Sequence, residues 1–143
     1  KKLSIYIHTL DNKVITVSNN IHLPKSFHRF AGLIEKLFSE KIIESDGKKL
    51  LEMNDMSFSE LIEEINPKNV VGLSRAGKPS SFHNVAKSLT SNSCLVIGGF
   101  QKTHFSDSTV SKIDHLVSIN SNSLESHIVT ARILYEYEKT IFK

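Results

Sequence analysis

The fold class is indicated first by the stretch Ser93-Cys94-Leu95-Val96-Ile97-Gly98-Gly99-Phe100. An apolar run stopped by two glycines is typical of a buried strand that ends in a sharp turn, where glycine also lets a ligand approach the backbone. A second stretch, from Val117 to Ser126, predicts another strand, a Ser/Asn loop and the start of a helix. Two such strand ends side by side in an α/β sheet would form a crevice for a small ligand, but two ordinary connections would have the same residues.

The composition is that of an ordinary globular protein. Its 143 residues, 39% hydrophobic and 23% charged, fit one domain with a hydrophobic core. No run is long enough to span a bilayer, and no signal-peptide pattern opens the chain. Cys94 is the single cysteine, so we expect no internal disulfide and a reducing compartment, and its apolar neighbours indicate a core residue rather than a nucleophile.

The net charge of +3 is mild and does not by itself indicate a nucleic-acid partner. Its distribution is uneven, because most acidic residues lie between Glu35 and Glu64. Between Leu73 and Lys112 the only acid is Asp107, against Arg75, Lys78, Lys87 and Lys102. This stretch is a candidate for an anion-facing side of the molecule.

The first half of the chain predicts a hairpin and two helices. The hairpin pairs Leu3–Ile7 with Val14–Val17. Apolar residues recur with helical period from Phe27 to Phe38, with Ser26 as a plausible N-cap. Leu50–Met53 is ambiguous, and Ser57-Phe58-Ser59-Glu60 is a capping box that predicts the start of the second helix.

The second half alternates strand, loop and helix three times. Val70–Ser74 predicts a strand followed by a loop to Ser81, a helix runs to about Leu89, and Cys94–Ile97 is the central strand. We expect a short helix around Thr109–Ile113, a strand at Leu116–Ile119, and a last helix from about Leu124 whose apolar face includes Ile128, Ala131 and Tyr135. This alternation favours a parallel sheet with crossover helices, an α/β fold.

The motifs of several enzyme classes are absent. The chain has no G-x-S-x-G elbow, no P-loop and no G-x-G-x-x-G. None of its seven histidines is spaced for a helical metal site, so we predict no metal. The glutamates are most simply solvated helix faces, and no side chain is nominated as a catalytic acid or base.

Three loops remain, each after a predicted strand: Leu73–Ser81, Gly98–Phe105 and Ile119–Ser126. They are rich in Gly, Ser, Asn and Lys, and so offer backbone N–H groups and small side chains rather than reactive groups. Such residues suit a preformed reactive ligand. A sulfonium cofactor such as S-adenosylmethionine needs mainly proximity and alignment, because its methyl group carries its own leaving group.

Taken together, the chain resembles the SPOUT-class RNA methyltransferases, in particular the family that methylates N1 of a pseudouridine in small-subunit ribosomal RNA. Leu23-Pro24-Lys25-Ser26-Phe27-His28-Arg29-Phe30-Ala31-Gly32-Leu33 is similar to that family's L/I-P-R/K-x-F/Y-x-R-F-x-G-L-M signature. Ile97-Gly98-Gly99-Phe100, with Phe105-Ser106, resembles its glycine loop. The segment from Ser118 to Ser126 is similar to its S-I-S-N-Y-P-L-S-A segment.

The resemblance implies a single SPOUT (α/β knot) methyltransferase domain over residues 1–143, with a trefoil knot at about 70–143 and without the family's N-terminal strand and helix. It also implies S-adenosylmethionine as cofactor, a homodimer, and small-subunit ribosomal RNA as partner. The compact loops and the absence of targeting tails indicate an archaeal, cytoplasmic member. Lys25, Arg29, Arg75 and Lys78 would face the RNA. By position, the residues implied at the cofactor are Leu73, Ser74, Gly98, Gly99, Phe100, Thr103, His104, Phe105, Ile119, Asn120, Ser121, Asn122, Ser123 and Leu124.

The sequence departs from the family pattern at four positions. Thr103 stands where a second glycine is usual, Asn122 and Ser123 replace an aromatic residue and a proline, and Glu125 replaces a serine. The altered third loop keeps a second hypothesis open, an RNA-binding ribosome-assembly module with weak or lost methyl transfer. A third hypothesis, a generic small-molecule-binding α/β domain, predicts no salt-sensitive affinity for RNA.

Overall fold

The computed structural model describes residues 3–19, 21–99, 104–122 and 124–142. The chain forms two compact units, with the division between Leu61 and Ile62. Among the described residues, no helix is both long and apolar enough to cross a membrane.

The first unit contains a four-stranded antiparallel sheet with the strand order β1-β2-β4-β3. Its last helix, α2, contains the division between the units. The elements are β1 (Ile5–His8), β2 (Lys13–Val17), α1 (Phe27–Glu40), β3 (Ile42–Ser45), β4 (Lys48–Asp55) and α2 (Phe58–Ile65).

Tight turns set the strand pairing in this sheet. The predicted β1–β2 hairpin is confirmed, and Asn12 in its turn has a positive φ of 55°. The ambiguous segment at Leu50–Met53 belongs to β4, which pairs with β2 and β3. The pairing of β3 with β4 was not predicted, although Asp46 (φ 51°) and Gly47 (φ 70°) form the Asp-Gly turn that favours a hairpin.

The core of the first unit lies between α1 and the sheet. Its buried members are Ile15, Leu37, Ile43, Leu51 and Met53. The predicted helix is confirmed, but only the C-terminal part of its apolar face is buried in this unit: Leu37 is 0% exposed and Phe27 is 76% exposed. The Ser26 side chain makes no capping hydrogen bond, so the predicted N-cap is wrong in that respect.

The capping box at the start of α2 is confirmed. The Ser57 N–H and hydroxyl each donate to the Glu60 carboxylate at 2.7 Å, and the Glu60 N–H donates to Ser57 Oγ at 3.3 Å. These hydrogen bonds hold the pKa of Glu60 below its usual value, with the Ser57 hydroxyl the largest cause. The sequence motif therefore defines the helix start correctly.

The second unit contains a three-stranded parallel sheet with the order β6-β5-β7. The predicted parallel α/β arrangement is confirmed, but β5, rather than the strand at Cys94–Ile97, is the middle one. The elements are β5 (Asn69–Pro79), α3 (Phe82–Ser88), β6 (Ser93–Ile97), α4 (Asp107–Val110), β7 (His115–Ser118) and α5 (Ser126–Ile141).

The strand β5 is longer than predicted and contains a bulge. Leu73 and Lys78 both have Val117 as their Cα partner, so the four residues Ser74–Gly77 lie outside the regular ladder. The residues predicted as a free loop are thus largely part of a strand. A Cβ on Gly77 would lie 2.5 Å from the backbone N of Val117, so only glycine fits this close approach of two chain segments.

The core of the second unit is formed by Val71, Val85, Val129 and Ile133. In α5 the buried residues are Val129 and Ile133, one turn apart, whereas Tyr135 is 62% exposed. The apolar face predicted for this helix is therefore wrong. Val129 and Ile133, at an i, i+4 spacing, fit the helical period of a core face as well as the predicted residues do. Packing against α3 and the sheet determines which of these two faces of α5 is buried.

Candidate cofactor site

Three strand ends meet at one edge of the parallel sheet. Leu73 in β5 is level with Ile97 in β6 and with Val117 in β7. Because parallel strands direct their carboxyl ends to the same side, the loops that follow these residues start at the same height. Three chain segments, rather than the two predicted, thus leave the regular ladder at this level, with the β5 bulge between the other two.

The first loop is the bulge Ser74–Gly77 in β5. The Ala76 N–H donates to Ser74 Oγ at 3.3 Å, which folds the start of the bulge onto itself. At its other end Gly77 packs against the backbone of Leu116 and Val117. The bulge is therefore held at both ends, and half-buried Ser74 lies at the strand edge.

The second loop begins at Gly98 and Gly99. Gly99 is exposed, and apart from its chain neighbours no atom of a described residue lies within 4 Å of the position its Cβ would occupy. This open space allows another molecule to approach the main chain. The Ser126 hydroxyl donates to the carbonyl oxygen of Gly98 at 2.8 Å, and Thr130 Oγ1 in turn donates to the Ser126 carbonyl at 2.7 Å.

The link between Gly98 and Ser126 joins residues 28 positions apart. It fixes the glycine turn to the first turn of α5, which follows the third loop. Sequence reasoning did not assign Ser126 a role, because a serine at a helix start usually caps its own helix and gives no sign of a distant partner.

The third loop is folded around Asn120. Its Oδ1 accepts from the Asn122 N–H at 3.0 Å, while the Ser118 hydroxyl donates to the Asn120 carbonyl at 3.2 Å. An asparagine side chain that bonds two residues ahead forms an Asx turn. Asn122, one of the departures from the family pattern, is exposed and takes part in this turn through its main chain.

The apolar residues predicted at the cofactor lie partly in the hydrophobic core of the second unit. Leu73, Ile119 and Leu124 are half-buried and pack against the core of the second unit. Core packing occupies much of their side-chain surface. His104 is exposed and Phe105 half-buried, both just before α4. Phe100, Thr103 and Ser123 lie outside the described residues.

The four cations predicted to face RNA are all exposed. Lys25 and Arg29 lie at the start of α1 in the first unit, and Arg75 and Lys78 lie in and beside the β5 bulge in the second. None of the four makes an ion pair with a described residue. Their charges are therefore free to attract an anion.

Two other chemical possibilities can be compared with the structure. In the part of the chain described, no group of three or more His, Cys, Asp or Glu residues is placed to hold a metal ion. Cys94 is half-buried in β6, and burial raises the pKa of its thiol. A thiol that stays protonated is a poor nucleophile, so the interpretation of Cys94 as a packing residue holds.

The fold and the residues at the sheet edge together define the structural class of this protein. This is an α/β protein in which parallel strands bring three loops, poor in reactive side chains, to one sheet edge with an open glycine. Such an edge suits the binding of a small cofactor through main-chain groups.

Comparison with known proteins identifies the family. The family model described as EMG1/NEP1 methyltransferase matches residues 1–138. This chain belongs to the EMG1/NEP1 methyltransferase family.

Two archaeal relatives are the ribosomal RNA small subunit methyltransferases Nep1 of Thermoplasma acidophilum and Thermoplasma volcanium. The first is 36% identical over 143 residues, covering 98% of this chain and 62% of its own length. The second is 37% identical over 142 residues, covering 97% and 61%. The chain therefore spans a little over three fifths of these relatives.

A solved structure has the same fold. It is Archaeoglobus fulgidus Nep1 bound to S-adenosylhomocysteine, with a TM-score of 0.80 and 29% sequence identity. The match covers 98% of this chain and 63% of the solved one.

Proposed function

We propose that this chain is an S-adenosylmethionine-dependent methyltransferase that acts on N1 of a pseudouridine in small-subunit ribosomal RNA. The observation that carries the proposal is the level alignment of Leu73, Ile97 and Val117, which brings three loops to one edge in a family of methyltransferases. The product S-adenosylhomocysteine in a structural neighbour supports the cofactor, because it is S-adenosylmethionine without its methyl group.

The residues at the edge fit such a cofactor. Gly99 leaves its main chain open to a ligand, and Gly98 is held in place by the Ser126 hydroxyl. The Asn120 turn and the Ser74 turn are both fixed by hydrogen bonds within their own loops. When bound, S-adenosylmethionine supplies an activated methyl group.

The chain's own contribution is alignment. Loops tied by hydrogen bonds before binding lose less conformational freedom when they receive a ligand. A ligand held in one pose against a positioned acceptor gains rate from proximity and orientation. The contact of Gly77 with Val117 fixes the first loop. The Gly98–Ser126 hydrogen bond fixes the start of the second loop.

RNA binding is proposed for the exposed cations. Lys25, Arg29, Arg75 and Lys78 have no ion-pair partner among the described residues, so each can neutralise a phosphate. We further propose one SPOUT domain with a trefoil knot at about 70–143 and a homodimer, both of which the family resemblance supports, and a cytoplasmic location.

The test is methyl transfer from labelled S-adenosylmethionine to an RNA hairpin that contains one pseudouridine, compared with the same hairpin containing uridine. Transfer to the pseudouridine hairpin alone is the expected result. Equal labelling of both hairpins would contradict N1 specificity, since uridine has its glycosidic bond at N1.

A second candidate is an RNA-binding assembly module with weak or lost transfer. The observation that favours it is the third loop, where Asn122 and Ser123 replace the family's aromatic residue and proline. Salt-sensitive hairpin binding without transfer, and without stabilisation by S-adenosylhomocysteine, would establish this candidate instead.

A further inference from the structure

A cleft of about 560 Å³ lies in the second unit, beside the first loop of the candidate cofactor site, whose residues Ala76 and Gly77 line it. It is bounded by the end of the β5 bulge, by α3 and by the length of β7. Of all the residues assigned above to cofactor or RNA, only Lys78 lines it. A volume between about 300 and 1,000 Å³ is typical of a small-molecule pocket.

The floor of this cleft is apolar. Val71 and Val85 are each 2% exposed and belong to the core, and Leu116 and Val117 contribute from β7. A flat, weakly polar group such as a nucleobase can lie against a surface of this kind. A strongly hydrated sugar or a free inorganic anion would gain nothing from it.

The rim of the cleft is polar, with hydrogen-bonding groups that are not used within the described structure. The Lys78 ammonium, the Ser80 hydroxyl, the Asn84 carboxamide and the His115 imidazole have no side-chain hydrogen-bond partner among the described residues. The one lining carboxylate, Asp114, accepts a hydrogen bond from the Val70 N–H at 2.7 Å. Its charge is therefore partly engaged by the sheet.

These groups match the parts of a nucleotide. A carboxamide can pair with the hydrogen-bonding edge of a base, an imidazole can stack on its face, and an ammonium can bind its phosphate. We propose that this cleft binds one unpaired nucleotide of the RNA substrate, with its base over Val85 and Leu116 and its phosphate at Lys78.

The position of the cleft suits a nucleotide close to the site of methylation. Val117 lines the cleft and is also level with Leu73 at the carboxyl edge of the sheet. The bulge separates the two places, with Ser74 toward the edge and Ala76–Lys78 along the cleft. A strand held here would be anchored beside the edge at which the cofactor is proposed to bind. The inference rests on the proposed function in taking RNA as the substrate.

The test is the affinity for a fluorescently labelled single-stranded hexauridylate RNA, measured by anisotropy at low salt with Lys78→Ala, Asn84→Ala and Lys87→Ala. Lys87 is the matched control, an exposed cation on α3 that does not line the cleft. We expect about tenfold weaker binding for Lys78→Ala and for Asn84→Ala, the size of one lost phosphate or base contact, and less than a twofold change for Lys87→Ala.

Two further measurements separate the possible sources of the ligand. Free uridine 5′-monophosphate should bind far more weakly than the hexamer; equal affinity per site would identify a free nucleotide as the ligand and overturn the proposal. Equal losses in Lys78→Ala and Lys87→Ala would reduce the effect to non-specific attraction and overturn it as well. Melting curves of each variant check that it folds.

Binding of S-adenosylhomocysteine keeps this inference distinct from the proposed function. Asn84→Ala should leave that affinity unchanged, and a loss would make the cleft part of the cofactor site and overturn the assignment to RNA. If the unaltered protein transfers no methyl group but the three variants rank as expected on RNA, the cleft assignment stands and the methyltransferase proposal fails.

Discussion

The two units contain sheets of opposite construction. In the first unit the strands run antiparallel, joined by the turns at Asn12 and at Asp46-Gly47, so successive strand ends alternate between two edges. In the second the strands run parallel, so that all three carboxyl ends lie at one edge. The loops after Leu73, Ile97 and Val117, 20 or 24 positions apart along the chain, therefore start at the same level of the parallel sheet.

The direction of the strands determines where a cofactor site can form. An antiparallel hairpin uses its turn residues to fix register, which leaves little main chain free for a ligand. A parallel edge leaves loop N–H groups unpaired at a common level. We therefore expect changes at this edge of the second unit to affect cofactor binding, and comparable changes in the first unit to leave cofactor binding unaffected.

The largest expected effect comes from a pair of glycine substitutions, one in each unit. Gly77→Ala would place a Cβ 2.5 Å from the backbone N of Val117, and backbone cannot move aside as a side chain can. We expect a loss of about 3 kcal/mol in the free energy of unfolding, the upper end of the usual cost of overpacking. Urea unfolding measures it.

The matched control is Gly32→Ala in α1. Beyond the backbone of its own helix, no atom of the described residues lies within 4 Å of the Gly32 Cβ position, and alanine is the better helix former. This variant should gain about 0.5–1 kcal/mol. A loss of stability in Gly32→Ala, or none in Gly77→Ala, would contradict the account of the bulge as a clamped segment.

An intermediate effect is expected for Ser126→Ala, which removes the hydrogen bond to the Gly98 carbonyl. A hydrogen bond of this kind contributes about 0.5–1.5 kcal/mol, so S-adenosylhomocysteine should bind about threefold to tenfold more weakly. Calorimetric titration measures this change. Ser126→Thr, which retains the hydroxyl, should restore most of the affinity, because the proposed role is positioning of the glycine turn.

Ser39→Ala is the corresponding change in the first unit. Its hydroxyl also donates to a backbone carbonyl, that of Glu35, at 3.3 Å. The affinity for S-adenosylhomocysteine should not change in this variant. If both serine variants lost affinity equally, the Gly98–Ser126 bond would have no special part in forming the site.

The smallest effect concerns the pH dependence of the second unit. Hydrogen bonds from Lys139 (3.1 Å) and His83 (3.3 Å) hold the pKa of Glu136 below its usual value. Because the folded-state pKa is depressed, this stabilisation is present above the unfolded pKa and is lost as the pH falls through the lower folded value.

Glu136→Gln should therefore lower the melting temperature slightly at pH 7, and the difference from the unaltered protein should shrink in acid, below about pH 4. Glu138→Gln is the control, since the Glu138 carboxylate makes no ion pair among the described residues. A difference that grows toward low pH would have the wrong sign for this account.

Local patterns in the sequence predicted much of this fold. The capping box at Ser57 and Glu60, the hairpin around Asn12 and the strand before Gly98 all depend on neighbouring residues, and each is found in the structure. The loops at the sheet edge were predicted from the same kind of signal, a strand stopped by Gly, Ser or Asn.

Features that depend on distant parts of the chain were not predictable in this way. The bulge in β5 exists because Leu73 and Lys78 both pair with Val117, and no local pattern encodes that partner. The buried face of α5 is chosen by packing, since Val129 and Ile133 and the predicted residues share the same period. The Gly98–Ser126 bond is equally non-local.

We propose that the cofactor binds at the carboxyl edge of the parallel sheet. Titration of the ¹⁵N-labelled protein with S-adenosylhomocysteine, followed by the backbone amide resonances, tests this proposal. The predicted result is saturable shifts at Ser74, Gly98, Gly99 and Asn120–Asn122, with the amides of β1 to β4 unchanged. Shifts concentrated in the first unit or in the cleft beside α3, or no saturable shift at millimolar ligand, would contradict the account.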